Sequence, residues 1–493
     1  MPNKSITKNY LYNLTYQILI LILPLITTPY LSRVLGAEGT GIYSYTYTIV
    51  NYFVLFGSLG VALYGQREIA YAQQKKQKRK KIFIELVIFR FITISIAFTV
   101  YFYYFMRTGT YSQYYRILLF ELLAGAFDIS WFFQGLEEFK KTVTRNILVR
   151  TISVLLIFIF VKKREDLVIY MYIYSLADFI GNLTLWLYLP KYFKGVKIGK
   201  INISYQIKPI ILLFIPQITS KLYNMLDTTM LGRIIADKTE TGYYEQSQKV
   251  IRLMLTVVTS LGTVMIPRMA NMFANGEKKN IDYYMKRSFS FTFMLSFPMM
   301  FGLISISKAF TPIFFGPGYE KTATLMCIIS PIILLMGIAN VLGNQYLIPT
   351  QRQKEYTIAV GVGVLVNFIL NYILISLWTS VGACIATVLS QIVVDYMQFR
   401  QLRGEVQFKA IIKLSNKYIF ASVVMFIVCN LTKIIISRGI ATIILQVIVG
   451  TITYGIVLIR LKDEYLYMFL RKIYEKTTGK NTRNIKQYKL KGF

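Results

Sequence analysis

The chain has 493 residues, is 55% hydrophobic with a mean hydropathy of +0.49, and carries 56 Lys and Arg against 23 Asp and Glu. Uncharged runs of the about 20 residues needed to cross a bilayer recur along its whole length, which excludes a soluble protein. It contains no histidine, which removes His-based acid–base catalysis and His metal sites.

In chain order, Met1 to Asn9 carries only Lys4 and Lys8, and the apolar run after it is too long for a signal-peptide core. The first span is therefore expected to stay in the protein. Hydropathy predicts fourteen spans, near 10–32, 41–65, 82–106, 117–134, 146–161, 167–189, 209–231, 243–267, 288–307, 323–348, 357–377, 379–399, 418–436 and 440–459. Lys and Arg divide 39 to 12 between the two sets of alternating loops, with five inside spans. That bias places both termini in the cytoplasm. The net charge of +33 thus records topology and contact with an anionic leaflet, not nucleic-acid binding.

A weak repeat accompanies the spans. Arg33 to Tyr43 joins spans one and two, and Arg233 to Tyr244 joins spans seven and eight; Gly41 matches Gly242, Tyr43 matches Tyr244 and Arg67 matches Arg268. Spans one to six and seven to twelve read as two copies in one orientation, an arrangement found in transporters. The expected organisation is an N-terminal six-helix lobe (1–208), a second lobe (209–400), helices thirteen and fourteen (401–459) and a basic cytoplasmic tail (460–493). Pro24, Pro29, Pro216, Pro298 and Pro331 lie within spans, where proline frees a carbonyl and permits a hinge. The start of the tail has the pattern of an amphipathic surface helix.

The chemistry lies in the intramembrane charges. A charge at mid-bilayer costs about 2.5–3.5 kcal/mol on insertion scales, so such residues should face protein or a wet cavity. The cations are Arg90, Arg150, Lys221, Lys249 and Arg252, with Arg33 and Arg67 at helix ends; the carboxylates are Glu85, Glu121, Asp128, Asp178, Asp227, Glu245 and Asp395. Glu245, Lys249 and Arg252 share one helical face by their spacing. Glu121 and Asp128 are expected on one face of span four. Such a set is either a structural ion-pair network or a functional site. As a site, arginine binds phosphate bidentately and lysine binds it as a point charge. A desolvated carboxylate can carry a coupling proton or bind Na⁺. The candidate phosphate-binding residues are Arg33, Arg67, Arg90, Lys221, Lys249 and Arg252, and the candidate coupling carboxylates are Asp128, Asp178, Asp227 and Glu245.

No Walker A sequence, Asp-x-Asp pair or metal-ligand spacing is present, so neither a metal nor a cofactor beyond a coupling H⁺ or Na⁺ is expected. Cys327, Cys384 and Cys429 read as small buried hydrophobes.

Lys8-Asn9-Tyr10, Pro29 to Gly36, Gly39 to Tyr43, Asp227 to Gly232 and Gly242 to Tyr244 together resemble the polysaccharide repeat-unit flippases of the multidrug/oligosaccharidyl-lipid/polysaccharide exporter superfamily. The resemblance covers the chain by span count and is most specific in the first 70 residues and in 221–252. It implies an all-α membrane protein with two six-helix lobes in a V around a cationic cavity. It also implies passage of an undecaprenyl-pyrophosphate-linked oligosaccharide from the inner to the outer leaflet of a bacterial plasma membrane, for capsule, O-antigen or teichoic-acid assembly, alongside other assembly proteins. Two alternatives on the same fold are a peptidoglycan lipid-precursor flippase and a multidrug antiporter, the latter expected to have a more acidic cavity. A membrane enzyme is disfavoured, because the longest outer loop, near 308–322, is short.

Overall fold

A computed structural model describes residues 6–197, 200–406, 408–435 and 439–468; the basic tail beyond 468 lies outside them. Regular structure among the described residues is helical. In order it runs α1 (Ile6–Ser58), α2 (Val61–Tyr71), α3 (Lys76–Tyr101), α4 (Ser112–Phe127), α5 (Ser130–Gly135), α6 (Phe139–Phe160), α7 (Leu167–Trp186) and α8 (Pro190–Phe193). There follow α9 (Ser204–Ile234), α10 (Lys238–Ala274), α11 (Lys278–Phe314), α12 (Glu320–Ile329), α13 (Ile332–Ala339), α14 (Gln353–Gln401), α15 (Phe408–Ile435) and α16 (Ile440–Arg460).

Eleven helical segments among the described residues are long and apolar enough to cross a membrane. Two of them, of 57 and 49 residues, are far longer than the about 30 Å hydrocarbon layer requires. The first bends at Gly36, whose φ of 70° favours glycine. The second bends at Trp378 and Thr379. Each therefore makes two crossings. With the 31-residue α9 the crossings number about fourteen, as hydropathy predicted, in an all-α multi-pass membrane protein. Large apolar side chains such as Ile96, Leu155, Leu365 and Tyr372 remain exposed on the helix surfaces, where lipid replaces water as the solvent.

Three expectations change. Span four is broken: α4 ends at Phe127 and Asp128 takes an extended conformation before α5, so Asp128 leaves the helical face of Glu121. A local bond accompanies the break: Asp128 Oδ1 accepts the Ser130 backbone N–H at 2.9 Å, a turn closed two residues on, just ahead of α5. Pro267 does not end span eight but lies inside α10, which continues to Ala274. The sharp bend of α1 falls at Gly36, after Pro24 and Pro29. Pro331 does mark a break, between α12 and α13.

By compactness the chain forms two units. One comprises residues 1–253, 311–329 and 353–394, and the other 254–310, 330–352 and 395–493. In the first, aromatic and aliphatic side chains of α2, α3 and α5, including Tyr64, Phe83, Leu86 and Trp131, form one buried cluster. A second joins α1 to α4 through Tyr45, Val50, Tyr115 and Leu118. In the second unit Asp463 is fully buried. It pairs with Lys417, accepts the Tyr418 hydroxyl at 3.0 Å and caps the chain's last described turn through the Leu466 N–H at 2.9 Å.

The repeated turns meet in the first unit. A Cβ on Gly41 would stand 1.8 Å from the Lys238 carbonyl oxygen, and one on Gly242 would stand 2.0 Å from that of Ala37. Only residues without a Cβ allow the two backbones this approach, which explains glycine at both matched positions. Gly41→Ala and Gly242→Ala should each destabilise the detergent-solubilised protein by about 1–3 kcal/mol, read as a lower melting temperature. Gly361→Ala, which meets no atom within 4 Å, serves as the neutral control.

Candidate functional site

The first compact unit holds the buried charges Glu121, Asp227 and Glu245 and the half-buried Asp178, together with the groups around them. On α10 the sequence spacing is realised. Glu245 Oε2 accepts a hydrogen bond from Arg252 Nη2 at 2.9 Å, and Glu245 also accepts from the Thr228 hydroxyl of α9. The Arg252 side chain remains 57% exposed while that of Glu245 is 11% exposed. Lys249, one turn from Glu245, interacts electrostatically with both. One carboxylate thus faces two cations, and the excess positive charge is carried by the more accessible partners. Lys221, on α9, is exposed.

Asp227 is a second centre, built differently. Its Oδ1 accepts Nδ2 of Asn367 at 2.9 Å and of Asn371 at 2.6 Å; its Oδ2 accepts the hydroxyls of Tyr244 at 2.6 Å and Thr387 at 2.8 Å. All five residues are buried, and the four donors are neutral. The carboxylate is solvated by protein dipoles with its charge uncancelled. The amide oxygen of Asn371 is buried and unpartnered. Sequence reasoning singled out Asp227 but missed Asn367, Asn371 and Thr387. The available signal was two asparagines at i,i+4 in an otherwise apolar span.

A third group is contributed by α1, α4, α6 and α7. Arg150 Nη2 pairs with Asp178 Oδ2 at 3.1 Å and the guanidinium lies 4.7 Å from the centre of the Tyr174 ring. Tyr43, Tyr47, Tyr170 and Tyr174 pack ring to ring around it, with centroids 4.8–6.4 Å apart. Asn182, a turn from Asp178, donates to the Ala124 carbonyl at 2.8 Å and ties α7 to α4.

The remaining candidates sit elsewhere. Arg90 is buried, donates to the Asp128 carbonyl at 2.7 Å and lies 3.7 Å from its Oδ2. Arg67 is exposed and pairs with its neighbour Glu68 at 3.0 Å. Arg33 donates to the carbonyls of Pro29 and Ile313. It therefore belongs with the turns beside a cavity of about 470 Å³ lined by Gly36, Glu38, Arg164, Tyr243 and Gly318. At the same turns, Glu240 accepts both Lys321 Nζ (2.6 and 2.7 Å) and the Ser380 hydroxyl (2.5 Å). Lys321 also donates to Thr379 Oγ1 at 3.0 Å. Thr379 has a φ of +52°, a strained value for a β-branched residue, and this pair of bonds holds it there.

No group of three metal-ligating side chains occurs among the described residues. What the fold and these centres define is a multi-pass helical protein with buried charges of transporter type, and the comparisons with known proteins agree. The profile of the polysaccharide biosynthesis protein family matches residues 6–273, and the chain belongs to that family. A second profile, MatE, matches residues 213–373. The chain is 24% identical over 405 residues to the putative O-antigen transporter of Escherichia coli K12, covering 81% of this chain and 97% of that protein. It is 24% identical to the lipid II flippase MurJ of Bacillus subtilis over 185 residues, 35% of this chain and 33% of that protein. The fold is shared with the inward closed conformation of lipid II flippase MurJ (TM-score 0.72, 16% identity, 96% of this chain and 100% of that one). It is shared less closely with an inward-facing multidrug resistance MATE transporter (TM-score 0.57, 11% identity, 80% of this chain and 98% of that one).

Replacing Thr387 by valine keeps the shape and removes one donor from a buried carboxylate. Thr387→Val should destabilise the protein by about 1–3 kcal/mol, seen as a lower melting temperature in detergent. An unchanged melting curve would show that Asp227 does not depend on that bond.

Proposed function

We propose that the protein is a flippase that carries an undecaprenyl-pyrophosphate-linked oligosaccharide, a cell-surface polysaccharide repeat unit, from the inner to the outer leaflet of a bacterial plasma membrane. The observation that carries this reading is the Glu245–Lys249–Arg252 face, where one carboxylate holds two cations and leaves net positive charge for a phosphate. The sequence relatives bearing transporter and flippase names support the class. On this reading the protein is a secondary transporter and not an enzyme. Residues 1–208 and 209–400 act as two six-helix lobes, and both termini are cytoplasmic. The pyrophosphate is held by Lys249 and Arg252, with Lys221, Arg33, Arg67 and Arg90 as further candidate contacts.

Asp227 is the coupling carboxylate this reading favours. Its charge is met by neutral donors, so a proton or a Na⁺ entering there gains an uncompensated negative charge, which the arginine pairs of Asp128, Asp178 and Glu245 already offset.

The match of residues 213–373 to the MatE profile favours a second reading, a multidrug antiporter on the same fold. A drug exporter raises the drug tolerance of its host; a glycolipid flippase does not.

The test is reconstitution into liposomes containing a fluorescent undecaprenyl-pyrophosphate oligosaccharide. Protein-dependent transfer should fall at least about tenfold in Lys249→Ala and in Arg252→Ala, the loss of a charge-assisted phosphate contact of about 1.5–3 kcal/mol. Transfer at the unsubstituted rate in both variants removes the phosphate site from this face. No transfer of any glycolipid under proton or Na⁺ gradients sinks the flippase reading.

A further inference from the structure

Among the described residues, Glu121 is the one acidic side chain of the α1–α4–α6–α7 group that lacks a partner. It is 8% exposed, it makes no ion pair, and its Oε1 is enclosed without any hydrogen bond. The groups facing it come from three helices. Tyr43 and Tyr47 approach from α1, Tyr170, Tyr174 and Asp178 from α7, and Arg150 from α6. Arg145, also on α6, faces Asp178 and Asp128. Within the same group, Arg150 uses Nη2 for Asp178 while its Nη1 is buried with no acceptor.

An ionised carboxylate with an unmet oxygen in such surroundings is costly, and a proton on that oxygen removes most of the cost. If the proton leaves, the donor that faces the ionised group with a nitrogen to spare is Arg150, whose Nη1 has no acceptor. The group therefore has two satisfied arrangements. In one, Glu121 is a neutral acid and Arg150 serves Asp178 alone. In the other, Glu121 is ionised and Arg150 bridges both carboxylates. The exchange is a single O–H ionisation, with the proton departing to water past Asp178 and Arg150, whose side chains are 19% and 27% exposed.

We propose that Glu121 is a reversible proton-binding site in the first six spans, with Arg150 as the donor that replaces the proton. The site is separate from Asp227 in sequence and in chemistry: one relies on a mobile cation, the other on fixed neutral donors. Because Arg150 also lies against Tyr174, the swing of its guanidinium toward Glu121 would alter how α6 meets α4 and α7. Use of this proton for transport rests on the flippase reading; its binding does not.

The experiment is an infrared pH titration of the purified full-length protein in detergent, following the C=O stretch of protonated carboxylic acids from mildly acidic to mildly alkaline pH. The expected result is a band that grows as the pH falls, with a component that is lost in Glu121→Gln and kept in Asp227→Asn. Arg150→Gln removes the donor that stabilises the ionised form. It should move the midpoint upward by roughly one pH unit or more, which keeps the test decisive if Glu121→Gln fails to fold. A wild-type protein with no titrating acid band, a band unchanged in Glu121→Gln, or a midpoint indifferent to Arg150→Gln would each overturn the proposal. Since no glycolipid is involved, a negative result here leaves the flippase reading standing, and a failure of transport leaves this result standing.

Discussion

An ionised group inside an apolar span must find its solvation within the protein, and this constraint organises the chain. Three solutions coexist. Asp128, Asp178 and Glu245 are matched by Arg90, Arg150 and Arg252. Asp227 is matched by two amides and two hydroxyls. Among the described residues Glu121 is matched by nothing, and so is the Nη1 of a nearby arginine. The three solutions have different consequences. An arginine pair ties two elements together and neutralises the charge. A ring of neutral dipoles stabilises the anion while leaving its field intact, which suits a site that takes up a cation. An unmatched acid beside an idle guanidinium nitrogen is the arrangement that the proposed proton exchange requires.

The second organising feature is steric. Gly41 and Gly242 let two helix–turn–helix segments meet backbone to backbone, at distances that any Cβ would violate. That approach seats Lys238 on the ring faces of Tyr45 and Tyr111. It also leaves room for Tyr45 only because Gly232 has no side chain, a Cβ there falling 2.2 Å from the ring. Around the same turns, Glu240 and Lys321 hold the strained residue Thr379 between the two crossings of α14. The weak internal repeat of the sequence is thus a record of two turns that must fit each other.

The family relationship and the local chemistry speak to different levels. The profile match through residue 273 concerns the family, and the likeness to the MurJ structure concerns the fold alone. At 16% identity that likeness does not transfer side-chain roles. Those rest on this chain's own geometry: the accessible Arg252 beside a buried Glu245, and the buried ring around Asp227.

What the sequence determined by itself was the number of crossings, the helical class, the identity of the intramembrane charges and the shared face of Glu245, Lys249 and Arg252. These depend on composition over about 20 residues or on spacing within two helical turns, and both are local properties. What tertiary structure decided was which partner each remaining charge receives. Asp227 meets Asn367, Asn371 and Thr387 across more than a hundred residues, and Arg150 meets Asp178 across a turn between spans. The break at Asp128 also escaped the periodicity, because a side chain that closes a turn with the backbone two residues on competes with the helix that an apolar pattern would otherwise continue. Spacing along one helix says which residues share a face; only the packing of helices says what that face meets.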